Sequence, residues 1–179
     1  MFVALDLPGP VRDSLASWRD GLLAGRRDLR PVRAEALHVT LVFLGWQDQS
    51  AAEAIAEATF GAGIPVRPAP RLAAAEMRPL PPRNPRLFAL ALDDDGGRAT
   101  ELQDGVSRAL EAGRWYRPEK RPFWPHVTLA RVKRGERRVP ALEGPPPPDS
   151  PFVAAALTLY RSTLRPQGAL YEPLARREL

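Results

Sequence analysis

A chain of 179 residues with 44% apolar side chains is long enough to form one domain, or two closely packed lobes, around a core of its own. Cysteine is absent, which excludes a disulfide framework and thiolate metal sites, and two histidines alone are a poor ligand set for a catalytic zinc, so no cofactor is expected. The net charge of +5 is carried almost wholly by arginine, since Lys120 and Lys133 are the only lysines; it suits a nucleic-acid or nucleotide partner, although arginine, proline and alanine also rise together in coding sequence rich in G and C.

In chain order, Phe2 to Leu7 reads as a short apolar strand rather than a signal peptide, and no run of about 20 apolar residues offers a membrane span. A cytoplasmic protein with no membrane partner is expected. Pro8 and Pro10 suit the entry to a helix, and Val11, Leu15, Trp18 and Leu22 mark its buried face, with an end near Gly25. A basic loop leads to His38-Val-Thr-Leu-Val-Phe-Leu44, closed by Gly45. Strict alternation places His38, Thr40, Val42 and Leu44 on one face of this strand and Val39, Leu41 and Phe43 on the other. Ser50-Ala-Ala-Glu53 has the form of a capping box before a helix running to about Phe60. Residues 64–78, broken by three prolines, suggest an edge strand or irregular β structure, and Pro79 to Arg86 reads as a loop between halves.

The pattern then repeats. Leu87-Phe-Ala-Leu-Ala-Leu92 echoes the first strand, and a turn at Asp93 to Gly97 precedes a helix with Leu102, Val106, Ala109 and Leu110 inward. Gly113 ends it, and a basic loop with Trp115, Tyr116, Lys120 and Arg121 leads to Pro125-His-Val-Thr-Leu129. A strand-helix-loop-histidine-strand unit thus occurs twice in nearly the same register, the signature of an internal duplication. The expected organisation is a single two-lobed domain over 1–179, with a first repeat at about 1–78 and a second at about 87–135. Lys133 to Arg138 and the proline tract Pro145 to Pro148 make an exposed connection to a C-terminal β-hairpin at about 152–175, whose lobe spacing alone does not identify.

Both histidines of the chain stand two residues before a threonine inside an apolar, β-branched run. Residues i and i+2 share a strand face, so each imidazole and hydroxyl project together. Free imidazole titrates near neutrality, and displacement at a phosphodiester needs one proton removed from the entering oxygen and one supplied to the leaving oxygen. His38 and His126 can share those tasks, with Thr40 and Thr128 donating to non-bridging oxygens. Arg131 could neutralise the phosphate, but strict alternation puts it on the face opposite His126 and Thr128; it reaches the site only if the strand twists or bulges after Leu129. Phe123 and Trp124 are candidates for stacking on a base, with packing as their competing role.

These segments, Phe2 to Leu7, Leu37 to Gly45, Arg121 to Arg131 and Leu159 to Leu164 with Gly168 and Tyr171, span nearly the whole chain. In that order they resemble the two-histidine phosphoesterase superfamily, and specifically the bacterial RNA 2′,3′-cyclic phosphodiesterases, also described as 2′-5′ RNA ligases. The resemblance implies an α+β, bilobal fold with two antiparallel β-sheets lining a central cleft and helices packed outside. It implies His38 as proton donor, His126 as proton acceptor, and Thr40 and Thr128 as phosphate-binding threonines, whereas the residues alone leave acid and base unassigned. The implied reaction is metal-independent hydrolysis of RNA 2′,3′-cyclic phosphate ends to 2′-phosphates, reversible as a 2′-5′ ligation without ATP. Candidate partners are tRNA halves or nucleotides, and a monomer is expected. Small cyclic nucleotides or 2′-5′ oligonucleotides are the alternative substrates, and a non-catalytic module that binds RNA ends is the alternative from another class.

Overall fold

The structure is a computed structural model and describes residues 1–61, 68–136, 139–165 and 168–179. Strand β1 (Phe2–Asp6) leads through Pro8 into helix α1 (Gly9–Leu22), where Pro10 occupies the first turn and costs no intrahelical bond. Leu15, Ala16 and Leu22 are buried on one side of α1, and Val11 and Trp18 pack at its margins as the spacing predicts. Arg19 is also buried, and its guanidinium donates to the Val32 carbonyl, tying the helix to the loop that enters the first histidine strand.

That loop contains strand β2 (Leu29–Pro31) and a single 3-10 turn at Ala34–Ala36 before β3 (His38–Phe43). Helix α2 (Ala52–Gly61) follows a 3-10 turn at Gln49–Ala51. The expected capping box at Ser50 is not what starts it. The Asp48 carboxylate accepts from both the Ser50 amide and the Ser50 hydroxyl, at 2.8 and 2.7 Å, so the cap lies two residues earlier. The second unit comprises β4 (Arg71–Leu80), β5 (Leu87–Asp95), α3 (Arg98–Ala112) and β6 (His126–Val132). Asp94 caps α3 by accepting from the Ala99 and Thr100 amides.

Two readings are corrected here. Pro79 and Leu80 are the last residues of β4, paired with Phe88 and Leu87, so the proline tract is the turn of a hairpin rather than a boundary between halves. A proline that lacks an amide is tolerated there because β4 is covered only at its start, where Arg71 and Leu72 pair with the short strand β7 (Phe152–Val153). The segment from Phe152 to Leu159 is likewise two strands. Only Ala156–Arg165, strand β8, pairs with β9 (Gly168–Glu178) and continues onto β1.

All strands form one antiparallel sheet in the order β7-β4-β5-β6-β3-β1-β8-β9, with β2 added on β6. The two sheets expected are its two halves, β3-β1-β8-β9 and β7-β4-β5-β6. They meet at a single residue pair, Val39 opposite Val127. The C-terminal hairpin therefore lies in the first half, on β1. Val3, Leu5, Val39, Leu41, Leu90, Val127 and Leu129 point back into one core with Leu15 of α1, Ile55 of α2 and Leu102, Val106 and Leu110 of α3. The helices thus cover one face, and the alternate residues of the central strands are left to line the other.

Candidate active site

The four motif residues occupy that second face at the junction of the halves. Because β3 and β6 run antiparallel about the Val39–Val127 pair, His38 lies across from Thr128 and Thr40 across from His126. The strand junction thus gathers both imidazoles and both hydroxyls in one patch.

A bulge then alters each strand at the same point. The pairs Ala4↔Thr40 and Val3↔Val42 skip Leu41, and Ala89↔Thr128 and Phe88↔Ala130 skip Leu129. One unpaired residue shifts everything beyond it to the opposite face. Arg131 is thereby carried to the side of His126 and Thr128, and it lines a pocket of about 500 Å³ with Thr128, His38 and Thr40. In β3 the same shift buries Val42, at 1% exposure, and turns Phe43 into this pocket at 64% exposure. This reverses the expectation from strict alternation for Val42 and Phe43.

Each ring is oriented by the carbonyl two residues before it. His38 Nδ1 donates to the Ala36 carbonyl at 2.8 Å, and His126 Nδ1 donates to the Trp124 carbonyl at 2.8 Å. A carbonyl only accepts, so in each ring Nδ1 carries the proton and Nε2 of the neutral form holds a lone pair. Thr40 Oγ1 is 3.0 Å from His38 Nε2, whereas His126 Nε2 has no protein partner among the described residues. Aromatic rings hold both planes. Phe2 stacks on His38 with centroids 4.9 Å apart, and Tyr171 meets it edge-on at 5.3 Å. Trp124 stacks on His126 at 4.5 Å and 17°. Trp124 thus packs on the His126 ring, and Phe123 packs against the core.

Burial pushes the His38 pKa down to about 4; the Ala36 carbonyl and the Asp6 carboxylate oppose the shift, and the positive charges of His126 and Arg131 add to it. His126 is also lowered, by burial against the opposing hydrogen bond to the Trp124 carbonyl. Both imidazoles therefore favour the neutral form near pH 7. Asp6 lies next to His38 across the β1–β3 ladder and accepts from Thr158 Oγ1 at 2.8 Å, Tyr160 Oη at 2.8 Å and Arg176 Nε at 3.0 Å. Burial and the Asp6 carboxylate raise the Tyr160 pKa, which keeps that phenol a donor. Among the described residues no three His, Cys, Asp or Glu side chains converge as a metal site.

A family model for the 2′-5′ RNA ligase superfamily matches residues 7–165. The chain belongs to this superfamily. A relative from Aeropyrum pernix named RNA 2′,3′-cyclic phosphodiesterase is 31% identical, over 89% of this chain and 92% of its own length. One of the same name from Escherichia coli K12 is 28% identical, over 98% and 94%. The crystal structure of E. coli LigT complexed with 3′-AMP superposes with a TM-score of 0.77 at 28% identity, over 99% of this chain and 96% of that one. The α+β curled sheet described above is thus the fold of the 2′-5′ RNA ligase superfamily.

Sequence patterning alone gives Phe43, Asp6, Ser162 and Tyr171 of this superfamily member no role. Ser162 and Tyr171 come from the C-terminal hairpin and reach the pocket only because β8 docks on β1. Phe43 had a signal: it stands five residues after His38, as Arg131 stands five after His126.

Proposed function

We propose that this protein hydrolyses RNA 2′,3′-cyclic phosphate ends to 2′-phosphates by proton transfer between two histidines. The observation that carries the reading is the junction itself. Two imidazoles with free or hydroxyl-capped Nε2 atoms share one sheet face, and a bulge adds an arginine to them. The cyclic phosphate would sit between them, with Thr40, Thr128 and Arg131 holding its non-bridging oxygens.

His126 Nε2 takes a proton from water as the water oxygen bonds to phosphorus. The bond from phosphorus to the 3′-oxygen breaks, and His38 Nε2–H returns a proton to that oxygen, leaving a 2′-phosphomonoester. Burial lowers both rings and His38 the more strongly, and the asymmetry that favours His38 as donor is Asp6, a carboxylate that favours its cationic form and has no counterpart acting on His126. The anionic substrate raises both pKa values, so the proton His38 needs is stabilised when phosphate enters. Run backwards with a 5′-hydroxyl in place of water, the same steps make a 2′-5′ linkage.

The four motif residues and Arg131 come from one chain, which supports a monomer, and RNA ends as substrate support a cytoplasmic reaction. No helix among the described residues is long and apolar enough to cross a membrane. The mirror-like strand order supports an internal duplication in which β3 and β6, β1 and β5, and β8 and β4 correspond. The deciding experiment is turnover of an oligonucleotide ending in a 2′,3′-cyclic phosphate, with EDTA present. His38→Ala and His126→Ala should each lose at least about 100-fold in kcat. Parent-like turnover by both variants would overturn the reading.

A further inference from the structure

The pocket lined by His38, Thr40 and Thr128 adjoins a second one of about 730 Å³, with which it shares Val32, Ala36, Arg131 and Tyr171. Arginines dominate this second space: Arg30 from β2, Arg33 from the loop after it, Arg131 from β6 and Arg165 from the end of β8. Arg30 and Arg131 are direct cross-strand partners in the β2–β6 ladder, so their side chains leave the sheet on the same face. Like charges set opposite each other in a sheet are unfavourable unless something negative lies between them. Elsewhere the chain pairs many of its arginines, as in Arg26 with Asp28 at 2.7 Å and Arg161 with Glu172 at 2.6 Å. Among the described residues, no carboxylate lies within 4.0 Å of Arg30, Arg131 or Arg165, and Arg33 reaches Glu35 only at 3.7 Å. Three guanidinium groups from three separate elements thus share one cavity without an internal counter-ion.

Resting on the function proposed above, we infer that this cavity binds the phosphodiester next to the reacting phosphate in an RNA strand. The substrate is then an RNA end rather than a cyclic mononucleotide, because only a strand brings a second phosphate to the arginines while its terminal phosphate lies between His38 and His126. The chemistry sought is a phosphodiester oxygen pair, which guanidinium forks hold bidentately. Two strands could supply it: the one bearing the cyclic end, or a 5′-hydroxyl strand entering for ligation. The shared Arg131 favours the first, since one arginine then spans consecutive phosphates of a single strand.

The test compares kcat/KM of the parent, Arg30→Gln and Arg165→Gln on a nucleoside 2′,3′-cyclic phosphate and on a short oligonucleotide with the same cyclic terminus. Both residues are exposed, so their replacement spares the core. The parent should prefer the oligonucleotide. Each variant should lose about tenfold on the oligonucleotide, chiefly through KM, and keep parent activity on the mononucleotide. The salt dependence of oligonucleotide binding should become shallower by roughly one phosphate contact per variant. Equal loss on both substrates, or no loss on either, overturns the inference. So does an effect confined to the KM of a 5′-hydroxyl acceptor during ligation, which would assign the cavity to the incoming strand. Titration with an uncleavable oligonucleotide carrying a 2′-phosphate, against the nucleoside 2′-phosphate, reads the arginine cavity without turnover. A weaker grip on the oligonucleotide alone in the two variants would support the cavity even if the parent hydrolysed neither substrate, and equal affinities throughout would refute it.

Discussion

The two halves of the sheet carry the same device and finish it differently. Each has an apolar strand with histidine and threonine two residues apart, a ring tied to the carbonyl before it, an aromatic ring stacked on the imidazole and a bulge at the third residue after the histidine. After that bulge, one half presents Phe43 and the other Arg131. Behind the rings, His38 has the Asp6 carboxylate with its three donors, whereas His126 has Trp124 with the Arg78 guanidinium 5.6 Å from its ring centre. A pseudo-symmetric backbone is thus enough to bring two imidazoles and two hydroxyls to one face of the sheet. Telling the acid from the base, and holding the charge, falls to residues that break the symmetry.

Making the halves alike at their largest difference should therefore cost the most. Arg131→Phe gives the second strand the residue of the first at the same offset. It removes the one guanidinium lining the pocket that His38, Thr40 and Thr128 share, and kcat/KM on a cyclic-phosphate oligonucleotide should fall about 100-fold. Arg131→Lys keeps the charge but loses the planar fork, and should recover part of that activity. If Arg131→Phe matched the parent, the bulge at Leu129 would have no part in the chemistry.

That bulge also marks where the sequence stops being legible. The helical stripes of α1 and α3, the two histidine strands and the same-face placement of His38 with Thr40 and of His126 with Thr128 follow from local periodicity, which the chain itself displays. The skipped residues do not, because a bulge is a property of two strands: Leu41 is left over only when β3 is laid on β1, and Leu129 only when β6 is laid on β5. Alternation therefore fails for Val42 and Phe43 and leaves Arg131 dependent on a feature that no single strand encodes. The same holds for Asp48 replacing Ser50 as a cap, where two competing local signals lie two residues apart, and for Phe152, which joins β4 across the chain rather than the hairpin beside it.

The difference in burial between the histidines predicts a second contrast, in stability rather than rate. The folded pKa of His38, about 4, lies below the 6.5 of a free imidazole, so as acid is added the unfolded chain takes up this proton first. Its contribution to stability is complete above about pH 6.5 and is lost as pH falls toward 4. Denaturant unfolding at pH 7 and at pH 4 should show His38→Gln losing about 3 kcal/mol less than the parent over that interval. His126→Gln should differ from the parent in the same direction and by less. Equal slopes for the parent and His38→Gln would mean that the ring is not held neutral by its surroundings.

The smallest expected effect bears on the assignment of acid and base. Asp6 is the carboxylate that favours charge on His38, and Asp6→Asn keeps its size and an oxygen able to accept from Thr158, Tyr160 or Arg176 while removing the negative charge. The His38 pKa then falls further. If His38 is the acid, kcat/KM is limited above its pKa by the shrinking protonated fraction, so the alkaline limb of the pH profile moves to lower pH and activity at pH 8 drops about threefold to tenfold. If His38 is instead the base, a lower pKa enlarges its neutral fraction, so the acidic limb moves to lower pH and the alkaline limb stays in place. Opposite limbs answer to the same substitution, and a loss of packing around β1, β3 and β8 would lower the whole profile without moving either one.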